Sequence, residues 1–232
     1  MPAVWQTATV VAVRDETART KTLRLRLGAP SGHRAGQHFV VRLTAPDGYT
    51  ASRSYSVASA PDGGNELDLT VERLDDGEVS SFLHDVLEVG DELEVRGPIG
   101  GFFVWDATTP ALLIGGGSGV VPLMAMLRLA RATGHDDLVH LIVSVRTPAD
   151  LYYSGELLDH DDVTVLYTRA SPPGWPRSPD RIRGDDVMPH LHDDATLYVC
   201  GSAGFANGVG DLLLELAVPA ERIRFERFGP SA

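Results

Sequence analysis

The sequence predicts two units of different class: a six-stranded antiparallel β-barrel followed by a five-stranded parallel α/β domain. Three observations predict it. Residues 5–104 carry short apolar runs in period two, broken by Gly- and Pro-rich turns. From Ala111 onward, apolar strands alternate with stretches of helical period. The change of period falls near residues 105–110, which places the units at 1–106 and 107–232.

The barrel strands are expected at 5–14, 22–27, 37–43, 53–57, 66–73 and 92–96. In the second of these, Leu23, Leu25 and Leu27 alternate with Arg24 and Arg26, the pattern of a half-buried strand. Turn clusters at 28–30, 45–48 and 61–64 separate them. One helix interrupts the series, because Val79, Phe82, Leu83, Val86 and Leu87 fall at helical spacing after Gly77. In the second unit, strands are expected at 111–114, 138–145, 163–168, 196–200 and 222–225. Helices are expected through Val121, Leu123, Met124, Leu127 and Leu129, near 151–158, and over 206–216. A strand order of 3-2-1-4-5 makes the first and fourth of these strands neighbours, in a doubly wound, Rossmann-like sheet.

Composition narrows the function. The chain has 232 residues, 43% hydrophobic and 22% charged, as expected of a globular protein with room for two cores. A net charge of -12 speaks against a nucleic-acid partner, whose phosphates need a basic surface. Only Lys21 among the 20 basic residues is lysine. The single cysteine, Cys200, can neither close an internal disulfide nor hold an iron–sulfur cluster. No apolar run reaches the roughly 18 residues of a membrane span. Residues 1–5 lack the basic start of a signal peptide, and with the single cysteine this makes a cytoplasmic protein the expectation; a monomer is expected as well. The eight histidines show no chelating spacing, and the paired aspartates, such as Asp75-Asp76 and Asp193-Asp194, read as solvated loop ends, so no metal site is expected.

Two glycine turns carry the binding chemistry. Gly115-Gly116-Gly117-Ser118-Gly119-Val120-Val121-Pro122 lies between an apolar strand and a helix. Glycines there let the backbone approach a pyrophosphate, and a helix N-terminus offers free N–H groups to it. Pro122 suits the first helical turn. Cys200-Gly201 likewise follows an apolar strand and opens a helix. In the barrel half, Arg53-Ser54-Tyr55-Ser56 alternates a cation, an aromatic ring and hydroxyls along one strand. Read alone, this string also fits an ordinary exposed strand.

Together and in order, these strings resemble the ferredoxin–NADP+ reductase superfamily across nearly the whole chain. Arg53-Ser54-Tyr55-Ser56 is similar to its R-x-Y-S flavin motif, and Gly77-Glu78-Val79-Ser80 to its G-x-x-S. Gly117 to Pro122 is similar to its G-x-G-x-x-P turn, Cys200-Gly201 to its C-G pair, and Glu226-Arg227-Phe228 to its terminal E-x-aromatic. The resemblance implies that Arg53 pairs with the FAD pyrophosphate, that Tyr55, beside Ser54, stacks on the flavin, and that Ser56 lies near its hydride-accepting nitrogen. It implies that Val71, Glu72 and Arg73 line the flavin and its ribityl chain, with Gly77, Val79 and Ser80 at the pyrophosphate. It places Gly116, Gly117, Ser118, Gly119, Pro122 and Gly201 on the nicotinamide dinucleotide, Cys200 and Glu226 beside the nicotinamide, and Phe228 over the flavin. Ser56, Cys200 and Glu226 are the implied catalytic residues. Two departures stand out: Glu72 replaces a basic or neutral residue, and Phe228 is followed by Gly229-Pro230-Ser231-Ala232 where plant-type members end on tyrosine.

Thr168-Arg169 matches the superfamily's site for the 2′-phosphate, with Arg146 a second candidate. NADPH is therefore the expected donor, with NADH the alternative. Arg177 and Arg181, in a Pro-rich loop with Trp175, are expected to close over the nucleotide. The implied activity is that of an FAD-dependent NAD(P)H oxidoreductase, exchanging single electrons with a separate carrier such as ferredoxin or flavodoxin. A local basic patch of Arg14, Arg34 and Arg42 is expected to receive such an acidic carrier. The alternatives are an electron-transfer subunit of a molybdenum or haem oxidoreductase, a free flavin or ferric reductase, and a non-catalytic flavin redox sensor.

Overall fold

A computed structural model describes residues 4–158 and 160–229. The tail at 230–232 lies outside the described residues. Strands β1 (Trp5–Thr17), β2 (Thr20–Leu27), β3 (His38–Thr44), β4 (Thr50–Ser56), β5 (Glu66–Glu72) and β6 (Glu92–Ile99) form one antiparallel sheet in the order β4-β3-β6-β1-β2-β5. The two ends of that order meet through a Val57–Leu69 bridge, which closes the barrel. Helix α1 (Glu78–Asp85) packs across β4 and β5. In β2 the leucines point inward, while Arg24 and Arg26 pair across to Asp68 and Glu66 on β5. The alternation read from the sequence is thus the alternation of burial.

The second sheet is parallel and contains β7 (Ala111–Gly116), β8 (Val139–Val145), β9 (Val163–Tyr167), β10 (Thr196–Ser202) and β11 (Ile223–Phe228), in the order β11-β10-β7-β8-β9. This is the 3-2-1-4-5 order, which makes β7 and β10 neighbours. Helices α2 (Val120–Thr133) and α5 (Ala203–Glu215) connect strands. A connecting helix near 151–158 shrinks to one turn, α3 (Ser154–Leu157), because Tyr153 leaves helical geometry at φ 53°. A short helix, α4 (Gly184–Val187), lies in a stretch that carries no periodic signal.

Three apolar clusters fill the molecule. One lies inside the barrel around Leu25, Phe39, Val41 and Leu69. One lies on the α5 face of the parallel sheet. The third surrounds α2 and takes in Ala35 and Ala58 from the barrel half, and Phe103, Trp105 and Ala107 from the connection. Burial against both halves explains why α2 is apolar on nearly every side. Among the described residues, no helix is long and apolar enough to cross a membrane.

Candidate functional site

On the barrel, β4 carries the first group. Tyr55 is half-buried against the barrel core, with Arg53 exposed two residues before it on the same face. Ser54 is exposed and Ser56 is buried. Burial pushes the Tyr55 phenol well above its ordinary range, with Arg53 acting against it, so the ring stays neutral. Of the β5 group, Val71 is fully buried in the barrel core. Glu72 is half-buried beside the Tyr152 hydroxyl. Arg73 is engaged by Asp85 at 2.8 Å, so its guanidinium is already paired.

Helix α1 opens without a side-chain cap at Gly77. Val79 and Ser80 point inward, and the Ser80 hydroxyl accepts from Leu74 N and donates to Gly77 O, both at 3.2 Å. What this turn presents outward is therefore backbone N–H, the donor an anion needs.

On the parallel sheet, the two glycine turns meet. A Cβ on Gly119 would lie 2.1 Å from the Cys200 carbonyl oxygen, so only glycine allows this contact. Gly117 sits at φ 54°, a conformation glycine adopts freely. The Phe205 ring lies over both turns, since a Cβ on Gly116 or Gly201 would come within 2.6 or 2.7 Å of it. Phe205 escaped the sequence reading; an aromatic one helical turn past Cys200-Gly201 was its only signal. The N-terminus of α2 has no side-chain cap and no acidic residue in its first turn, whereas α5 is capped by Ser202 accepting from Phe205 N. The α2 end is thus left for an external anion.

Strand register puts Cys200 beside Gly115 on one side and Glu226 on the other. Burial, with the Glu226 charge adding to it, raises the Cys200 thiol well above its ordinary range. Burial also lifts Glu226 to about 7, and its Oε2 is buried without a protein partner among the described residues. Phe228 is half-buried against the α2 cluster.

Thr168 and Arg169 follow β9, and Arg146 follows β8. Arg169 N donates to Arg146 O at 2.9 Å, so the two arginines stand at adjacent strand ends. Both side chains are exposed and neither pairs with a carboxylate among the described residues. Arg177 does not match its expected role: it is fastened to Asp186 at 2.7 Å and to the Asp180 and Arg181 carbonyls. The expected basic patch is also reduced. Arg14 is paired with Glu16, and Arg42 with Glu94 while it lies over the Trp5 ring. Arg34 alone of the three is unpaired among the described residues, which also show no His, Cys, Asp or Glu cluster able to hold a metal.

The donor set fits two dinucleotides. It has two uncapped helix ends, a glycine turn pressed against main chain, a neutral tyrosine ring beside an arginine that meets only the Ser52 carbonyl at 2.7 Å and no carboxylate among the described residues, and an orphaned buried carboxyl oxygen at the second turn.

Comparison with known proteins agrees. Residues 7–104 match the family model of an oxidoreductase FAD-binding domain, and residues 113–211 that of an oxidoreductase NAD-binding domain. A flavohemoprotein of Pseudomonas putida is 33% identical over 205 residues, covering 85% of this chain and 51% of that protein. The reductase component of propane 2-monooxygenase from Rhodococcus jostii is 27% identical over 235 residues, covering 94% and 62%. The chain thus spans between about half and three-fifths of these two relatives. The FAD/NAD-binding domain of nitric oxide dioxygenase from Vibrio cholerae superposes with a TM-score of 0.82 at 26% identity, covering 97% of this chain and 99% of that one. An Amycolatopsis cytochrome P450 reductase gives 0.81 at 29% identity, covering 99% and 71%.

Proposed function

The chain belongs to the ferredoxin–NADP+ reductase-like family of FAD-dependent NAD(P)H oxidoreductases, and from that premise we propose that it moves reducing equivalents between NADPH and a separate redox protein. The observation that carries this reading is the uncapped glycine turn at α2, closed against Cys200 with Glu226 beside it. Bound FAD would supply the conversion between hydride from nicotinamide and single electrons for the partner.

The chain's own residues bind, orient and exclude water. Arg53 offers the diphosphate a planar fork of donors, and Tyr55 offers the flavin a neutral, flat ring. Ser56 provides a hydroxyl with no protein partner among the described residues, and the backbone of Gly77, Val79 and Ser80 provides N–H donors. Gly116, Gly117, Ser118 and Gly119, ahead of Pro122, take the second pyrophosphate. With Glu226 raised to about 7, its carboxyl is partly protonated at neutral pH and can donate from Oε2 to a carboxamide. Cys200, held as a neutral thiol, gives an uncharged wall. Phe228 is the ring that must yield when nicotinamide enters. Two free arginines at adjacent strand ends, Arg146 and Arg169, support NADPH over NADH.

We place the boundary between the units at 106/107, and the protein as a monomer in the cytoplasm. The names of the relatives favour an oxygenase or haem protein as electron partner. The test is direct. Purified protein should show a flavin spectrum and oxidise NADPH with ferricyanide as acceptor; a colourless protein that binds no added FAD overturns the reading. Arg169→Ala should lower kcat/KM for NADPH about tenfold, about 1.4 kcal/mol, and leave NADH nearly unchanged. A wild-type preference for NADH removes the role given to Arg169.

A further inference from the structure

We propose that Arg128 is a positioning residue that sets the spacing between the nicotinamide turn and the flavin strand. The proposal rests on the reading above, which puts one dinucleotide at the N-terminus of α2 and the other beside β4.

Arg128 lies two turns into α2, on the same rigid helix as Pro122. Its Nη1 donates to Ala58 O at 2.8 Å. Ala58 is two residues past Ser56 and next to the bridge that closes the barrel, and its own N–H donates to Asp68 O at 2.8 Å. The carbonyl that Arg128 holds is therefore fixed by the barrel on both sides. The other two nitrogens fork onto Glu156, Nε at 2.9 Å and Nη2 at 2.5 Å. Arg131 supports this arrangement by donating to the Glu156 carbonyl.

A second strut stands beside the first. The Arg128 guanidinium lies 4.9 Å from the Tyr153 ring centre. Tyr153 donates its hydroxyl to Thr70 on β5 at 2.5 Å and its N–H to Glu16 on β1 at 3.2 Å. Its backbone stays left-handed at φ 53° in a buried site, a conformation that costs a non-glycine residue free energy and persists only where surroundings impose it. The first strut reaches the barrel just past the end of β4, and the second reaches it within β5 and near the end of β1; β4 and β5 carry the flavin group. Only 16% of the Arg128 side chain is exposed, so water competes little for these bonds. A flat fork meeting three acceptors on two elements is a task for arginine and not for lysine. Transfer between two bound rings is sensitive to separation: a displacement of about 1 Å lowers a rate by about 10²-fold.

The test uses spin labels at Glu88→Cys on the barrel and Asp211→Cys on α5, both exposed, in otherwise native protein and in Arg128→Met and Arg128→Lys. Methionine keeps the apolar stem and removes all three bonds; lysine keeps the charge and loses the fork. Pulsed EPR should show a narrow distance distribution with Arg128, a broad one with methionine and an intermediate one with lysine. Flavin reduction at saturating NADPH should fall at least about tenfold with methionine, while the dissociation constants for FAD and NADP+ stay within about twofold. An unchanged distribution with an unchanged rate overturns the proposal. So does a loss of affinity for both cofactors equal to the loss of rate, which marks a purely structural role. A wild-type protein that binds no FAD sinks the functional reading alone, and the EPR distances still decide whether Arg128 sets the spacing.

Discussion

The two glycine-led turns that open α1 and α2 do similar work with different materials. At α2, the glycine is required by main chain: the atom nearest a Cβ on Gly119 is the backbone oxygen of Cys200. At α1, the nearest atom to a Cβ on Gly77 is the Ser80 hydroxyl at 2.2 Å, with Leu74 Cβ at 2.9 Å. A hydroxyl can rotate away and a strand carbonyl cannot. The carboxylates differ in the same sense. Glu78 stands exposed in the first turn of α1 and meets Tyr49 at 3.2 Å. Glu226, near the α2 turn, is half-buried, with its Oε2 fully buried and unpartnered among the described residues. One turn is held by the sheet beneath it, the other by its own side chains, and the first tolerates less change.

The sharpest break of this contrast is Gly119→Ala against Gly77→Ala. The first should cost about 4 kcal/mol of stability and abolish NADP+ binding, because the clash forces β10 and α2 apart. The second should cost about 2 kcal/mol, since Ser80 can turn aside at the loss of its bond to Leu74 N, and Leu74 Cβ must shift slightly. Denaturant unfolding and nucleotide titration check both, and equal losses erase the distinction. Glu226 comes next. Its folded value near 7 lies above the ordinary 4.5, so the folded state holds the proton longer. Stability from this group is fully present below about pH 4.5 and is lost as pH rises through 7, about 3 kcal/mol across that window. In unfolding free energies measured from pH 4 to 8, Glu226→Gln should lack this decline, and a variant that tracks wild type at every pH contradicts the burial. The smallest effect is Ser80→Ala, which leaves Leu74 N without its acceptor: about 1 kcal/mol, with weaker FAD affinity in a flavin fluorescence titration.

The α2 turn was legible from the sequence because its cause is local: an apolar strand, glycines, then a helix. That the second sheet is parallel followed from the alternation of strands and helices, but the order of its strands did not. Barrel order was not legible, because β3 pairs with β6 and β1 with β6 across long stretches of chain that no local pattern records. The barrel site could be read only through family resemblance, since Arg53 to Ser56 has the alternation of any edge-facing strand. The helix expected at 151–158 shortened because Tyr153 reaches for Thr70, a contact 83 residues away. Arg14, Arg42 and Arg177 looked free for the same reason: their carboxylate partners are fixed by the fold, and charge content alone does not reveal pairing.

The connection between the sheets has a consequence for how such a protein can be cut and recombined. Phe103, Trp105 and Ala107 precede the parallel sheet in the chain but lie in the core around α2. Trp105 also donates its indole N–H to Thr109 O at 2.9 Å, and Tyr198 of β10 bonds Val104 O at 2.8 Å. Scission after residue 106 would leave two aromatic plugs on one fragment and their socket on the other. The halves then behave as a single cooperative block, with one calorimetric transition, and a transplanted α/β half needs residues from about 103 onward to keep its socket filled.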